Sequence, residues 1–284
     1  ASGDALGYLN LKVGSSPGKG IDNNGVNSIR SGIKILTDDL TSNINILVVP
    51  GIRDANITDY ALDHVAKYSK AIFLMDIASY DANDIRLYDD NTQSPSVRKT
   101  IEQFEGRNIN SNYTATYFPD VIKNFSQQDG GTVKLPSSVA ALGALGYNDA
   151  VSFPWFAPAG FNRGALEDIV NTKVRLNTED RNILYEARIN PIANFNINDF
   201  VIFGQKTLQK NKSSLDRVNV RRMLIEVKRI VSIAATNIIF EQNVKATRDS
   251  FVATVSPQLA LIQSQQGIEQ FRVIMNDSNN TQQD

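Results

Sequence analysis

Hydrolysis by an activated serine needs a base beside the nucleophile, and the single histidine of this sequence, His64, would have to be that base. Asp54 and Asp59 precede it and Ser137 and Ser138 follow, so the chain order Asp, His, Ser is present. The local context is not that of a hydrolase. Neither Ser137 nor Ser138 stands in a Gly-X-Ser-X-Gly turn, the arrangement that holds a nucleophile at a sharp bend beside an oxyanion hole. His64 falls in mid-helix between Asp63 and Val65, where it reads as a solvent-edge or interface imidazole. Cysteine is absent, which excludes disulfides, thiolate metal sites and cysteine nucleophiles and fits a protein made in reducing cytoplasm.

Two further patterns fail on spacing. Gly14-Ser15-Ser16-Pro17-Gly18-Lys19-Gly20 is one residue short of a phosphate-binding loop, and Gly follows the lysine where a Ser or Thr would hold magnesium, so the segment reads as a loop. Asp22-Asn23-Asn24-Gly25 is too short for a calcium loop and lacks its distant Glu. Trp155, in Ser152-Phe153-Pro154-Trp155-Phe156-Ala157-Pro158-Ala159-Gly160, reads as a structural junction of aromatic and turn-forming residues. No catalytic residue, metal-ligand set or cofactor site is therefore assigned.

The remaining candidate is electrostatic. Arg217, Arg221 and Lys228 share one arc of a long helix, adjoined by Arg222 and Arg229, opposite an apolar arc of Val220, Met223, Val227, Ile230, Val231, Ala234 and Ile238. The basic arc reads either as a solvated face or as a docking strip for an acidic partner. The whole chain carries a net charge of -1, so no overall field draws it to nucleic acid or anionic lipid. At 284 residues, 42% hydrophobic and 21% charged, it has the profile of a globular protein, and no apolar run reaches the roughly 20 residues of a membrane span.

Hydrophobic periodicity sets out the elements that must position these residues. Gly14 to Gly25 reads as a loop, and Ile29, Ile33, Leu36 and Leu40 then recur at helical spacing. Asn45 to Val49 predicts a buried strand, Thr58 caps a helix carrying Leu62, Val65 and Ala66, and Ala71 to Ile77 predicts a second strand. This βαβ unit implies a parallel sheet covered on both faces. A helix from Ser96 to about Gly106, strands near Tyr113 to Phe118 and Val121 to Phe125, and a helix opening at Pro136-Ser137-Ser138 follow. The small residues of that last helix predict close packing on the sheet.

From about Leu176 the texture changes. Asn177-Thr178-Glu179-Asp180 opens a helix to Arg188, and strands Pro191 to Phe195 and Asp199 to Gly204 flank Asn196-Ile197-Asn198 as a hairpin. Ser213-Ser214-Leu215-Asp216 opens the long helix, another runs from about Val244 past Pro257, and Phe271 to Met275 predicts a closing strand. The expected organisation is a surface segment over 1–25, an α/β domain over 26–175 and a smaller α+β domain over 176–284.

Pro136-Ser137-Ser138-Val139-Ala140-Ala141-Leu142-Gly143 followed by Phe156-Ala157-Pro158-Ala159-Gly160 resembles the helix and Ala-Pro-Ala-Gly segment of contractile bacteriophage tail sheath proteins. Leu176-Asn177, Leu184-Tyr185, Asn190-Pro191-Ile192, Phe203-Gly204-Gln205-Lys206-Thr207-Leu208 and Asp216-Arg217-Val218-Asn219-Val220-Arg221-Arg222 continue the resemblance in the family's order. It covers about Ile44 to Met275 and is strongest after Pro136. Asn190-Pro191 replaces a usual glycine and Lys206 stands where Arg is common, departures that suggest a divergent member such as a giant-phage sheath of the phiKZ type.

The resemblance implies a subtilisin-like first domain without activity. It also implies a structural subunit that forms hexameric rings or a helical sheath around a tail tube, between baseplate and tail terminator, and contracts to drive the tube through the host envelope. Such a protein is made in host cytoplasm and resides in the virion, with no direct nucleic-acid contact. A sheath-like subunit of a secretion system or bacteriocin particle, or an α/β hydrolase, are the alternatives. The resemblance further implies that Arg217, Arg221, Arg222, Lys228 and Arg229 face the tube and that Phe271, Val273 and Met275 lie on an inter-subunit edge strand. The sequence starts without Met or signal peptide and ends soon after Met275, so a core fragment lacking its terminal arm, monomeric in isolation, is expected.

Overall fold

The computed structural model describes residues 24–88, 92–124, 131–196 and 199–280. Most of the loop expected over Gly14 to Gly25, the phosphate-loop pattern, Phe125 and the turn residues Ile197 and Asn198 lie outside the described residues, and Asn24 and Gly25, expected in that loop, open a helix instead. Two compact units divide the chain between Arg222 and Met223.

In the first unit, helix α1 (Asn24–Leu36) leads to strand β1 (Ile46–Val48), helix α2 (Ala55–Tyr68) and strand β2 (Ile72–Met75). β1 and β2 pair in parallel, with Leu47 opposite Phe73, as the βαβ pattern predicts. The boundaries of these two helices differ from expectation. Asp54, not Thr58, caps α2 by accepting a 2.8 Å hydrogen bond from the Asn56 N–H, and Thr58 is buried inside the helix. α1 ends at Leu36, so Leu40 is exposed, because the Asp38 carboxylate accepts from the N–H groups of Leu40 and Thr41 and turns the chain away.

A ribbon of β3 (Ser79–Tyr80) and β4 (Arg86–Leu87) precedes helix α3 (Val97–Gly106), near its expected bounds, and Ser96 caps it by accepting from the Lys99 N–H. β5 (Thr114–Phe118) then pairs in parallel with β2. Every residue of β2 and β5 is buried, which is how a strand covered on both faces looks, and Phe73, Leu74 and Tyr117 anchor the core. A three-stranded antiparallel sheet is built from β6 (Val121–Asn124), β7 (Thr132–Leu135) and β9 (Ile169–Thr172) in the order β7-β6-β9.

Helix α4 (Ser137–Val151) packs on β1, β2 and β5. Ala140, Ala141 and Ala144 are buried and let it come close, whereas Gly143 and Gly146 face open space. The short helix α5 (Gly160–Arg163) and strand β8 (Ala165–Leu166) follow, then α6 (Thr178–Glu186). Asn177 and Asp180 form a reciprocal capping box at its start.

The predicted hairpin is present as β10 (Asn190–Asn196) and β11 (Asp199–Ile202), but it does not begin a separate domain. β10 pairs in parallel with β5, with Asn190 opposite Tyr117, and β8 joins β11, giving one mixed six-stranded sheet in the order β1-β2-β5-β10-β11-β8. The sheet therefore runs across the boundary expected at 175/176. Asn190 explains the joint: its amide donates to the carbonyls of Thr116 and Lys206 at 3.0 and 2.8 Å and its oxygen accepts from the Lys206 N–H at 2.6 Å. A buried asparagine so engaged fixes both neighbours.

After a 3₁₀ turn at Ser214–Asp216, helix α7 (Val218–Thr236) starts at Val218, and its remainder belongs to the second unit with helix α8 (Lys245–Ser264), which runs through Pro257. Val255, Leu259 and Ile262 are buried there with Ile225. The α7 arc expected as core is only half-buried at Val227, Ile230, Val231, Ala234 and Ile238. Phe240 is 100% exposed. Arg248 donates to Asn243 at 3.1 Å and meets Asp277 at 2.5 Å, tying the following segment to α8. Residues 271–275 form no strand, which corrects the closing strand of an α+β domain: the second unit is helical among the described residues. Period-2 alternation alone does not supply a pairing partner.

Candidate functional site

In an open α/β sheet, chemistry belongs at the carboxyl ends of the parallel strands. Here that edge gathers Gly51 and Arg53 after β1, Asp76 after β2, Asp120 after β5, and Ser137 and Ser138 at the start of α4. The Asp76 carboxylate, 2% exposed, accepts from the Gly51 N–H at 2.8 Å, the Ser138 N–H at 2.9 Å, the Ser138 hydroxyl at 2.7 Å and the Ser137 hydroxyl at 3.1 Å. The Ser137 hydroxyl also lies 2.8 Å from the Tyr117 carbonyl. Asp120 accepts from Arg53 at 2.8 Å and from the Ser137 N–H at 3.1 Å. Burial pushes the Asp120 carboxyl above its ordinary range, and the Arg53 charge pulls it partly back.

Both serines sit where a helix N-terminus favours an anion, and the anion is already supplied by the protein itself. Their hydroxyls are taken up by the Asp76 carboxylate and the Tyr117 carbonyl, and no imidazole stands beside them as the base of a serine nucleophile. His64 does not reach them. Its Nδ1 lies 3.5 Å from the Thr37 hydroxyl and its ring packs on Tyr60 at 4.2 Å between centroids. Burial first, then the Lys67 and Lys34 charges, hold the imidazole below its ordinary pKa. Asp54 is a helix cap and Asp59 pairs with Arg107. The Asp, His, Ser order of the sequence is thus not assembled in space. Among the described residues no group of three His, Cys, Asp or Glu side chains is placed to hold a metal ion, and no helix is long and apolar enough to cross a membrane.

The five cations expected to form one docking strip separate. Arg221 and Arg222 are buried at 4% and 3% exposure. Arg222 makes two hydrogen bonds to the Asp149 carboxylate, at 2.9 and 2.5 Å, and Arg221 lies over the Tyr113 ring at 4.0 Å. Neither is presented to a partner, which corrects the strip at its centre. A helical wheel places charges on an arc without showing what packs on it. Arg217 pairs with Asp216 at 3.1 Å and reaches the Tyr185 hydroxyl, and Arg229 pairs with Glu226 within α7. Lys228 is exposed. At the expected edge strand, Phe271, Val273 and Met275 are half-buried and alternate with exposed Arg272 and Ile274.

Trp155 and Phe153 stack in parallel at 5.1 Å, and Asn219 fastens the loop by donating to the Trp155 carbonyl at 3.1 Å. A second aromatic group, unforeseen in the sequence, joins Phe161 of α5, Phe195 of β10 and Phe203 just past β11, with Arg181 over Phe195. Their wide separation along the chain leaves no local signal.

No model of a known protein family matches the sequence. Over 148 residues, 52% of this chain, it is 40% identical to the tail sheath protein of Vibrio phage KVP40, and over 149 residues it is 32% identical to that of Enterobacteria phage T4. Each match spans 22% of the relative's length, so the matched half of this chain corresponds to about a fifth of these curated relatives. The fold is similar to a solved extracellular contractile injection system, the PVC sheath complex in its contracted state, with a TM-score of 0.61 and 19% identity over 94% of this chain and 72% of that one.

Proposed function

We propose that this chain is part of a structural subunit of a contractile phage tail sheath, and not an enzyme. The observation that carries the reading is the 40% identity to a phage tail sheath protein over half of the chain, joined to a sheath-like fold over nearly all of it. The polar knot supports it independently, because serines committed to Asp76 serve rigidity and not turnover. In this reading the parallel part of the sheet is a subtilisin-like arrangement without its base, on the strength of a carboxylate at a strand end facing serines at a helix start.

The assembled subunits would form hexameric rings or a helical sheath around a tail tube, bounded by baseplate and terminator, made in the host cytoplasm and carried in the virion. Phe271, Val273 and Met275 would complete their pairing by adding as a strand to a neighbouring subunit, a role that their alternating exposure without a strand partner favours. Tube contact would fall to Arg217 and Lys228, since Arg221 and Arg222 are committed internally. The fold match to an injection-system sheath favours a non-phage contractile particle as the second reading, but the sequence identity lies with phages.

The test is co-expression of the full-length subunit with its tail tube protein, followed by negative-stain imaging. Striated tubes wider than the tube alone are expected. Bare tubes with the subunit left soluble would refute the reading.

A further inference from the structure

On the first unit, the end of α6 and the segment 204–217 enclose an open cleft of about 840 Å³. Five cations line it: Arg188, Lys206, Lys210, Lys212 and Arg217. Only Glu186 and Asp216 oppose them, and Asp216 is paired with Arg217. Lys206 spends its ammonium on neutral groups, donating to the Tyr185 carbonyl at 2.9 Å and lying 3.4 Å from the Tyr185 ring centre. Lys210 donates to the neutral Asn108 side chain. Burial, with the Arg217 and Arg188 charges adding to it, lowers the Lys206 ammonium from its ordinary value. An entering anion would relieve that crowding.

Arg188 is the most informative of the five. It is the first residue past the cap of α6, with φ at 63°, the Arg188 N–H on the Tyr185 carbonyl at 3.2 Å and the Ile189 N–H on the Leu184 carbonyl at 2.9 Å. This is the closing motif in which glycine is favoured, because a side chain crowds the backbone in the left-handed region. The position holds an arginine whose Nε is buried without a hydrogen-bond partner. Backbone strain at a residue whose side chain lines the cleft points to a use for the guanidinium there.

We propose that this cleft docks an acidic polypeptide segment, with a carboxylate bound by Arg188 and further Asp or Glu side chains met by Lys206, Lys210 and Lys212. A nucleic acid fits less well. Glu186 and Asp216 on the walls oppose a continuous phosphate backbone, and the one aromatic face, Tyr185, is covered by Lys206 and offers no stacking platform. The inference concerns this chain alone and stands apart from the sheath reading.

The probe is a fluorescein-labelled peptide of alternating Glu and Ser, titrated by anisotropy at about 50 and 200 mM salt. Arg188→Gly should raise the melting temperature, on the order of 2 °C, by relieving the backbone, yet weaken the peptide about fivefold. The Lys210→Gln, Lys212→Gln double variant, at exposed positions that do not endanger folding, should weaken it about tenfold and flatten the salt dependence. The proposal is overturned if the peptide does not bind at low salt or if both variants bind it as the parent does. Tighter binding of a single-stranded oligonucleotide of equal charge would also overturn it.

Discussion

Replacing Asp76 with alanine removes the acceptor that joins the end of β1 to the start of α4. Of its four donors, the Ser137 hydroxyl keeps the Tyr117 carbonyl at 2.8 Å as an alternative. The Gly51 N–H, the Ser138 N–H and the Ser138 hydroxyl lose the carboxylate. Hydrogen bonds to a charged group contribute about 1.5–3 kcal/mol each, so three at the lower figure are worth ~4.5 kcal/mol. Loss of the buried carboxylate also removes its desolvation penalty, which offsets part of this and leaves a net destabilisation of about 3 kcal/mol. Ser138→Ala should cost ~1.5 kcal/mol and Ser137→Ala less than ~1 kcal/mol, because one hydroxyl proton serves only one of its two acceptors. Urea unfolding followed by fluorescence of Trp155, the only tryptophan and a member of the same unit, reads these differences as shifts in midpoint at constant slope. An Asp76→Ala stability within about 0.5 kcal/mol of the parent would refute the knot as a source of rigidity.

Further expectations follow from single contacts. Arg222→Ala leaves Asp149 without its two-point partner and should cost roughly 3 kcal/mol by the same measurement, whereas removing exposed Lys228 should change stability by less than ~0.5 kcal/mol. The Asp120 carboxyl is raised by burial above the 3.8 of an unperturbed group, so its folded form keeps the proton to higher pH. The stability it contributes is full below that value and is lost as pH rises through the folded value. Relative to Asp120→Asn, the parent should therefore lose stability from about pH 4 upward, and a gain would mean that Arg53 outweighs burial. Gly164→Ala would place a Cβ 2.6 Å from the Ala159 Cα and should cost at least ~2 kcal/mol, while Gly143→Ala meets nothing within 4 Å and should add about 0.5–1 kcal/mol to thermal stability through helix propensity.

Local rules carried well where the deciding interaction is local. The helix starts at Asn177 and after Ser96 and the parallel βαβ unit from Ile46 to Met75 follow from neighbouring side chains and from periodicity, whereas the long helix expected to open at Ser213 begins only at Val218, after a 3₁₀ turn. They failed where a nearby competitor was stronger: Asp54 captured the start of α2 from Thr58, and Asp38 turned the chain before Leu40 could extend α1. The resemblance in the segments after Pro136 was legible as ordered motifs, although none of them showed which residues would be buried.

What the sequence determined by itself is the poverty of its catalytic chemistry, since one histidine and no cysteine leave few possible machines, and the type of most elements, since hydrophobic spacing is a property of the chain. Tertiary structure alone decided the rest. It carried the hairpin of β10 and β11 into the first sheet through Asn190, drew Arg221 and Arg222 inside, and brought Asp76 to Ser137 and Ser138 across more than sixty residues. In each case the partner that satisfies a buried polar group or strand edge lies far away in sequence. Which distant partner arrives is set by packing, and the spacing of residues does not encode it.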